Sequence, residues 1–600
     1  MACAVCLFFT FTPMKLFTFF ILLSISAAAQ DFNFQRSWGT YFGDERFFLK
    51  DSKTDRSGNL YIAGVFINGN STSQPVFSTP NSYQPTYGGG ESDGFIARFN
   101  NAGVLTWATY FGGSDLDNVS GLDFDDLDNV YVVGSTQSAA GIASAGASQG
   151  ELHGISDFFI ARFSEAGNLD WSTYYGGLNE EGVGNNDIYS YLNRIFISHD
   201  HSGYFYIGGN STSPDLGTTG TFQALQEESD QIIAKFDNNG SHVWTTYYSF
   251  NGNYMLALKA TTTALYVRGR INNCNPANPT DNGYYGSANG YQPTALNCSN
   301  TFLSKFDVTG QREWSTYYAE NNSTSNKSLE VYQDKVYFTG VSFSNLVTTP
   351  GVFQESPGLE VPPYLVQFTE SGTRDWGTYN GSNEGYPPFG GNYGLDHTTV
   401  DASGGVYLSG ITGLHSNFAT AGAYQTELIG QTDGYICKFG NQGQKIWGTY
   451  YGGNLFEYDM VMLPSVTDTF FVVGTSSSTT GLTTQGSHQP DLSTYDIENG
   501  TPQNIFIARF EPIPLNTDPF RENPFTIYPN PTHGHFTVAL NNENIDQGTL
   551  DLYDVVGKKV LSQTLNAGNT IVNTNQISKG IYMVKVTAGN KSYRAKLVVD

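Results

Sequence analysis

The chain has 600 residues, which is too long for one ordinary globular core unless it is built from repeats. Charged residues make up only 14%, whereas aromatic residues also reach 14% and glycine occurs 67 times, a composition that favours strands and tight turns over helices. With 29 basic and 55 acidic residues the net charge is −26, which disfavours nucleic acid and anionic lipid as partners.

The first 29 residues have the pattern of a secretion signal. Met14 and Lys15 precede an apolar run from Leu16 to Ile25, and three small alanines follow. We therefore expect the true start at Met14 and cleavage between Ala29 and Gln30. The apolar run is too short for a permanent membrane span, and no later segment reaches the required length, so no transmembrane span is expected.

Seven tryptophans divide the next 480 residues or so into repeats of 62 to 73 residues. Each is followed by Thr two positions on and by Tyr three positions on, as in WSTYYGG at 171–177. They are Trp38, Trp107, Trp171, Trp244, Trp314, Trp376 and Trp447. Such regularity indicates a repeat architecture, in which these residues form the scaffold.

Further marks recur in every repeat. An apolar alternation leads through turn residues to a strand ending in Gly, as in YVVG at 131–134, and a strand like FIARF follows later. In all six cases the final Phe of that strand lies eight residues before the next Trp, which predicts a hairpin with a short turn. Each unit thus supplies four strands, here named a to d, with strand d carrying the Trp.

Seven four-stranded units predict an all-β, seven-bladed propeller over residues 30–511. The first Trp strand has no FIARF strand before it, and the last FIARF strand, ending at Phe510, has no Trp after it. Pairing of these two strands would close the ring with both ends of the chain. An open β-solenoid is the competing arrangement, although it would need capping repeats that the sequence lacks.

The repeat resembles the bacterial SBBP β-propeller repeats. The resemblance rests on GNLYIAG (58–64), SDGFIARF (92–99) and WATYFGG (107–113), and the pattern covers residues 36 to about 511. It implies the seven-bladed fold and says nothing about a ligand.

Five cysteines occur, of which two lie in the predicted signal. Cys274 and Cys298 share one polar loop, and in an oxidising compartment we expect them to form a disulfide. Cys437 lies in an apolar strand, where a buried, inert thiol is expected.

The sequence contains no nucleophile elbow, HExxH, Walker loop or CxxC pair, so catalytic and cofactor sites are not assigned and an enzyme is not favoured. The acidic run 115–129 could hold calcium, but other repeats do not reproduce it. An Asp or Asn also recurs at the start of strand c. We expect it to accept backbone N–H groups there, with a ring of metal-binding carboxylates as the alternative.

Residues 512–525 are proline-rich and predict a linker, and residues 526–600 alternate as in a small β-sandwich. YPNPTHGHF (528–536), GIYMVKV (580–586) and KLVV (596–599) resemble the type A sorting domain of the type IX secretion system of Bacteroidota. The motif residues are Pro529, Asn530, Pro531, Gly534, Gly580 and Tyr582. The resemblance implies that the secretion machinery is a partner and that the protein reaches the cell surface or the medium.

Three function classes remain open: a binding or adhesion protein for a glycan or protein, a polysaccharide-acting enzyme, and a structural surface component. We favour binding, because repeats and variable loops are abundant while catalytic signatures are not found. The face that carries the long b–c loops is the expected contact surface.

Overall fold

Runs of aromatic and β-branched residues, separated by Gly, Asn and Asp turns, form 35 strands in the described residues. The computed structural model describes residues 32–68, 77–182, 195–226, 230–248, 254–271, 284–295, 300–320, 328–358, 362–381, 396–413, 418–466, 468–493, 503–513, 525–540, 547–566, 568–588 and 591–600. The chain divides into two compact units, Met1–Pro512 and Ile513–Asp600.

The first unit contains seven four-stranded antiparallel sheets, which we number as blades. Blade 1 consists of β2 (Phe47–Thr54), β3 (Leu60–Ile67), β4 (Ser92–Phe99) and β5 (Leu105–Phe111). Blade 2 consists of β6 (Asp117–Phe124), β7 (Val130–Thr136), β8 (Asp157–Phe163) and β9 (Leu169–Tyr175). Blade 3 consists of β10 (Phe196–His199), β11 (Tyr204–Ser211), β12 (Asp230–Asp237) and β13 (His242–Tyr247).

Blades 4 to 6 follow the same order from strand a to strand d. Blade 4 consists of β14 (Tyr254–Ala260), β15 (Ala264–Ile271), β16 (Asn300–Asp307) and β17 (Arg312–Glu320). Blade 5 consists of β18 (Leu329–Tyr332), β19 (Lys335–Val341), β20 (Pro363–Thr369) and β21 (Arg374–Tyr379). Blade 6 consists of β22 (His397–Val400), β23 (Val406–Thr412), β24 (Asp433–Phe439) and β25 (Lys445–Tyr451).

Blade 7 joins the two ends of the unit. It contains β26 (Glu457–Pro464), β27 (Phe470–Ser476) and β28 (Asn504–Pro512), and its fourth strand is β1 (Phe34–Phe42). β1 pairs antiparallel with β28, with Trp38 opposite Arg509. Each innermost strand contacts that of the next blade, and β26 contacts β2. The predicted all-β propeller, closed by its N-terminal strand, is confirmed.

The core lies between neighbouring sheets. Strands b and c are buried on both faces; every residue of β3, for example, is buried. Tyr61 and Ile96 of blade 1 pack with Leu122 and Val132 of blade 2 in one such layer. This explains why strands b and c have continuous runs of apolar residues, whereas a strand with one exposed face would alternate apolar and polar residues.

The c–d hairpins share one irregularity. In blade 1 the register shifts between Arg98 and Phe99, so that Phe99 pairs with Leu105 and Arg98 with Trp107. A glycine with positive φ, Gly103 at 80°, lies in the turn. The constant eight-residue spacing from Phe to Trp is therefore the signature of a bulged hairpin.

The second unit is a two-sheet β-sandwich. One sheet has the order β29 (Phe525–Tyr528), β30 (His535–Leu540), β33 (Asn569–Asn573), and the other has the order β32 (Lys559–Asn566), β31 (Gln547–Tyr553), β34 (Gly580–Ala588), β35 (Lys591–Val599). Phe536, Leu550, Val584 and Leu597 lie in their shared core. Most of the predicted linker, residues 514–524, lies outside the described residues.

Candidate functional site

The recurring tryptophans of the repeats connect neighbouring blades. In six cases the indole N–H donates to a backbone carbonyl in the c–d turn of the next blade, at 3.0 to 3.2 Å. The Trp107 indole, for example, binds the Glu165 carbonyl, and Gly167 of that turn lies directly against the ring. A side chain at Gly167 would collide with the indole, which explains the turn glycine.

The seven tryptophans are not equivalent. Trp447 precedes the closing blade and packs edge-on against Phe32, with ring centroids 4.9 Å apart. Trp314 is only 4% exposed, whereas Trp38 and Trp171 are half-buried. The burial and contacts of these indoles therefore differ from one blade boundary to the next.

The Thr and Tyr of each WxTY segment hold the b–c loop along the outer edge of strand d. In blade 1, Gln84 N donates to Thr109 Oγ1 at 2.8 Å, and Tyr110 N donates to the Gln84 carbonyl at 3.1 Å. The same two bonds occur in all seven blades. This repeated part of the loop thus protects a sheet edge, a role that the sequence analysis did not anticipate.

The sorting motif residues converge on the C-terminal strand of the sandwich. Asn530 donates to the Lys596 carbonyl at 2.6 Å and accepts from Val598 N at 2.8 Å, between two prolines, Pro529 and Pro531, that follow cis bonds. Gly534 has a φ of 82°, which favours glycine.

The GIYMVKV motif joins the same assembly. Gly580 pairs with Val599, and the Tyr582 hydroxyl donates to the Ser578 carbonyl at 2.7 Å while its ring lies in the core. The three motifs that the sequence separates by about 60 residues are therefore one hydrogen-bonded structure.

Several predicted residues lie outside the described residues: the cleavage positions Ala29 and Gln30, and the cysteines Cys274 and Cys298. Their disulfide stays a prediction. Cys437 is fully buried and unbridged, and burial raises the pKa of its thiol.

The carboxylates of the acidic run 115–129 point to different partners. Asp123 pairs with Lys53 at 3.0 Å, Asp125 binds Asn129, and the exposed Asp126 pairs with Arg56 and His201. Among the described residues, no group of three or more His, Cys, Asp or Glu side chains is arranged to hold a metal.

A cavity lies at the centre of the ring. It has a volume of about 200 Å³ and is lined by the innermost strands of all seven blades. Its walls combine hydroxyl groups such as Ser198 with charged side chains from five blades. The charged or titratable residues are Lys50, Asp51, Lys53, Lys259, Glu330, His397 and Asp459.

The charges of this central channel are mostly paired around the ring. Lys259 Nζ lies 2.8 Å from Glu330, and His397 Nε2 lies 3.3 Å from Asp459. Burial opposes the charged form of Lys259, but Glu330 and Asp123 outweigh it and raise the pKa of the ammonium. Burial likewise opposes ionisation of Asp123, yet Lys53 and Lys259 hold the pKa of its carboxyl below the usual range. The channel therefore presents fixed charges and hydroxyls.

Comparison with protein families agrees with both units. The family described as secretion system C-terminal sorting domain matches residues 526–600, and the family described as beta-propeller repeat, SBBP, matches residues 106–139. The chain is a propeller-repeat protein with a C-terminal sorting domain. The sorting domain indicates export by type IX secretion to the cell surface or extracellular space. In the described part of the chain, no helix is long and apolar enough to span a membrane.

One curated relative of this sorting-domain protein is ulvan lyase NLR42 of Nonlabens ulvanivorans, 36% identical over 76 residues. That match spans 12% of this chain and 14% of the lyase, and it is about as long as the sorting domain.

One similar solved structure is PorZ, a surface component of the type IX secretion system of Porphyromonas gingivalis. It is 11% identical in sequence with a TM-score of 0.21, and the match covers 92% of this chain and 82% of PorZ. Phage phi92 endosialidase follows at 10% identity and a TM-score of 0.32, covering 93% and 87%. Superpositions this loose carry no activity from those proteins to this chain.

Proposed function

We propose that the exported protein is a binding or adhesion protein whose propeller takes a polar ligand, a glycan or a protein segment, in its central channel. The observation that carries this proposal is the channel itself, because every blade contributes a hydroxyl group or an ionisable side chain to one cavity. The ligand is neutral or cationic, since a net charge of −26 repels polyanions.

The charge states of the channel favour binding over catalysis. A general acid or base needs a pKa near the working pH. Lys259, which lines the channel, is instead held in its charged form by Glu330 and Asp123, as a hydrogen-bonding group for a polar ligand. The carboxyls whose pKa values rise towards neutrality, such as Asp93 and Asp157, are fully buried between blades, where a substrate does not reach them.

The b–c loops remain a second candidate surface. Their repeated segment covers the edge of strand d, so a contact surface would have to come from the parts of the loops beyond it. Several of these parts, including residues 272–283 and 494–502, lie outside the described residues.

The test is an array of glycans and proteins probed with the full-length exported chain, followed by a turnover assay on every glycan that binds. We expect retention of a defined ligand without turnover, and unchanged binding after chelation because no cofactor is required. Product release from a polysaccharide would favour an enzyme, for which the partial match to ulvan lyase is the present argument. Binding to nothing would favour a structural surface component.

A further inference from the structure

In the described part of the chain, three of the seven blade junctions contain a buried pair of carboxyl groups. One member is an Asp at the start of strand c, and the other follows four residues after the second glycine of a WxTYxGG segment, on the way to the next blade. The pairs are Asp93 with Asp117, Asp157 with Glu181, and Asp433 with Glu457, and each of the six side chains is at most 1% exposed.

The first pair shows how each carboxyl is held. Asp93 Oδ2 accepts from Gly88 N at 2.6 Å and from Gln84 at 3.2 Å. Asp117 Oδ2 accepts from Gly113 N at 2.6 Å and from Ser138 at 2.8 Å. The Oδ1 atom of Asp93 is buried and has no hydrogen-bond partner among the described residues, whereas the Thr136 hydroxyl lies close enough to Asp117 to oppose the rise in its pKa.

The other two pairs repeat this arrangement. Asp157 accepts from His153 N at 2.9 Å and Asp433 from Ile429 N at 2.8 Å. Their partners accept from the second glycine, Glu181 from Gly177 N at 3.1 Å and Glu457 from Gly453 N at 3.2 Å. One oxygen of Asp157 and one of Glu457 again lack a partner among the described residues.

In the third pair, Glu457 lies within hydrogen-bonding reach of Asp433. In the first two pairs, the first glycine of the segment shows how closely the carboxyls approach. A methyl group placed on Gly112 would lie less than 3.0 Å from oxygens of both Asp93 and Asp117, and one on Gly176 would meet Asp157 and Glu181 in the same way. Two buried carboxylates this close repel each other strongly, and buried oxygens without donors are costly.

The groups that act on these pairs do not neutralise them. Tyr87, Tyr110 and Asp115 face the first pair. Tyr174, Tyr175 and Asp215 face the second. Tyr41 and Tyr451 face the third. All are acids or phenols, so a shared proton is the simplest way to remove one negative charge and supply the missing donor.

We propose that each of these three carboxyl pairs shares one proton, which locks adjacent blades together and makes the stability of the ring depend on pH. The proton resides on one carboxyl as an O–H that donates to the other carboxylate. Burial, together with the neighbouring Asp117, raises the pKa of Asp93 to about 8, and burial raises that of Asp157 to about 7. Burial and Asp433 also raise the pKa of Glu457.

The direction of the pH effect follows from these pKa values. A carboxyl whose pKa is higher in the folded chain than its ordinary value of 3.8 binds its proton more tightly when folded. Its contribution is complete at about pH 4 and is lost as the pH rises through about 8, where the pair becomes doubly charged.

The test compares thermal unfolding midpoints of the full chain between pH 5 and pH 9 with those of a triple variant, Asp93→Asn, Asp157→Asn and Glu457→Gln. Each amide supplies an N–H to the partner carboxylate and has no proton to lose. We expect the midpoint of the wild type to fall over this range by about 5 °C more than that of the variant. Asp468→Asn, at an exposed acid in the turn between strands a and b of blade 7, is the control and should follow the wild type.

Infrared spectroscopy supplies a second measurement that needs no variant. The C=O band of buried, protonated carboxyls should be present at pH 6 and disappear by pH 9. A triple variant with the pH dependence of the wild type, or no such band at pH 6, would overturn the proposal. A calcium-dependent rise of the wild-type midpoint at pH 8 that the variant lacks would also overturn it, since the pairs would then hold a metal.

Discussion

The Trp of each repeat acts across a blade boundary, and its burial decides how much it stabilises. The indoles of Trp314 and Trp171 make the same bond to the turn of the next blade, at 3.0 and 3.2 Å, but only Trp314 is fully buried. Large-to-small substitutions cost the transfer free energy of the lost atoms plus a term for the cavity left behind. Tryptophans at the same position of the motif therefore differ in how much they contribute to the stability of the fold.

Trp314→Ala should lower the free energy of unfolding by about 3 to 5 kcal/mol, and Trp171→Ala should lower it by less. Chemical denaturation followed by tyrosine fluorescence measures both. Equal losses would mean that the hydrogen bond to the turn, which both share, dominates over burial.

At the scale of the element, the paired glycines mark where strand d leaves its blade. In two of these segments the first glycine, Gly112 or Gly176, lies against a carboxyl pair. The signal for this pair was present in the sequence, as Gly-Gly followed four residues later by Asp117, Glu181 or Glu457. It was missed because its partner, such as Asp93, belongs to a different blade and precedes it by 24 residues.

Gly112→Ala should destabilise the chain by about 1 to 3 kcal/mol, because its methyl group would collide with Asp93 and Asp117. Gly150→Ala is the matched control, since nothing lies within 4 Å of a methyl group there. Thermal unfolding of both variants at one pH is sufficient. An unchanged midpoint for Gly112→Ala would show that the junction has more room than the structure gives it.

In the sorting domain, Asn530 joins the YPNP turn to β35 through two hydrogen bonds. Asn530→Ala should destabilise this unit by about 1 to 3 kcal/mol and reduce export. Secretion of the variant from a Bacteroidota host, compared with that of Asn575→Ala, checks this; Asn575 lies exposed beside Gly534. Normal export of the Asn530→Ala variant would show that the secretion machinery recognises the domain without these two hydrogen bonds.

For the whole molecule, the Trp spacing and the unmatched first and last strands were enough to predict the blades and their closure. The pairing of strands that lie far apart in the chain could be predicted because each repeat shows which residues face each other, as with Trp38 and Arg509. The channel was not predicted, because strand a is the least regular strand in sequence and its side chains meet only when seven blades close. Lys259 and Glu330, for instance, carry no motif and are 71 residues apart.

Binding in the central channel is the claim that most needs a direct measurement. Titration calorimetry with a ligand identified on the array should compare the wild type with Lys259→Gln and with Lys335→Gln. The control removes an equivalent ion pair, Lys335 with Asp375, which lies outside the channel lining. We predict binding weakened about tenfold or more for Lys259→Gln, and unchanged for Lys335→Gln, with both variants folded. Equal affinity of all three proteins would contradict the channel as the binding site.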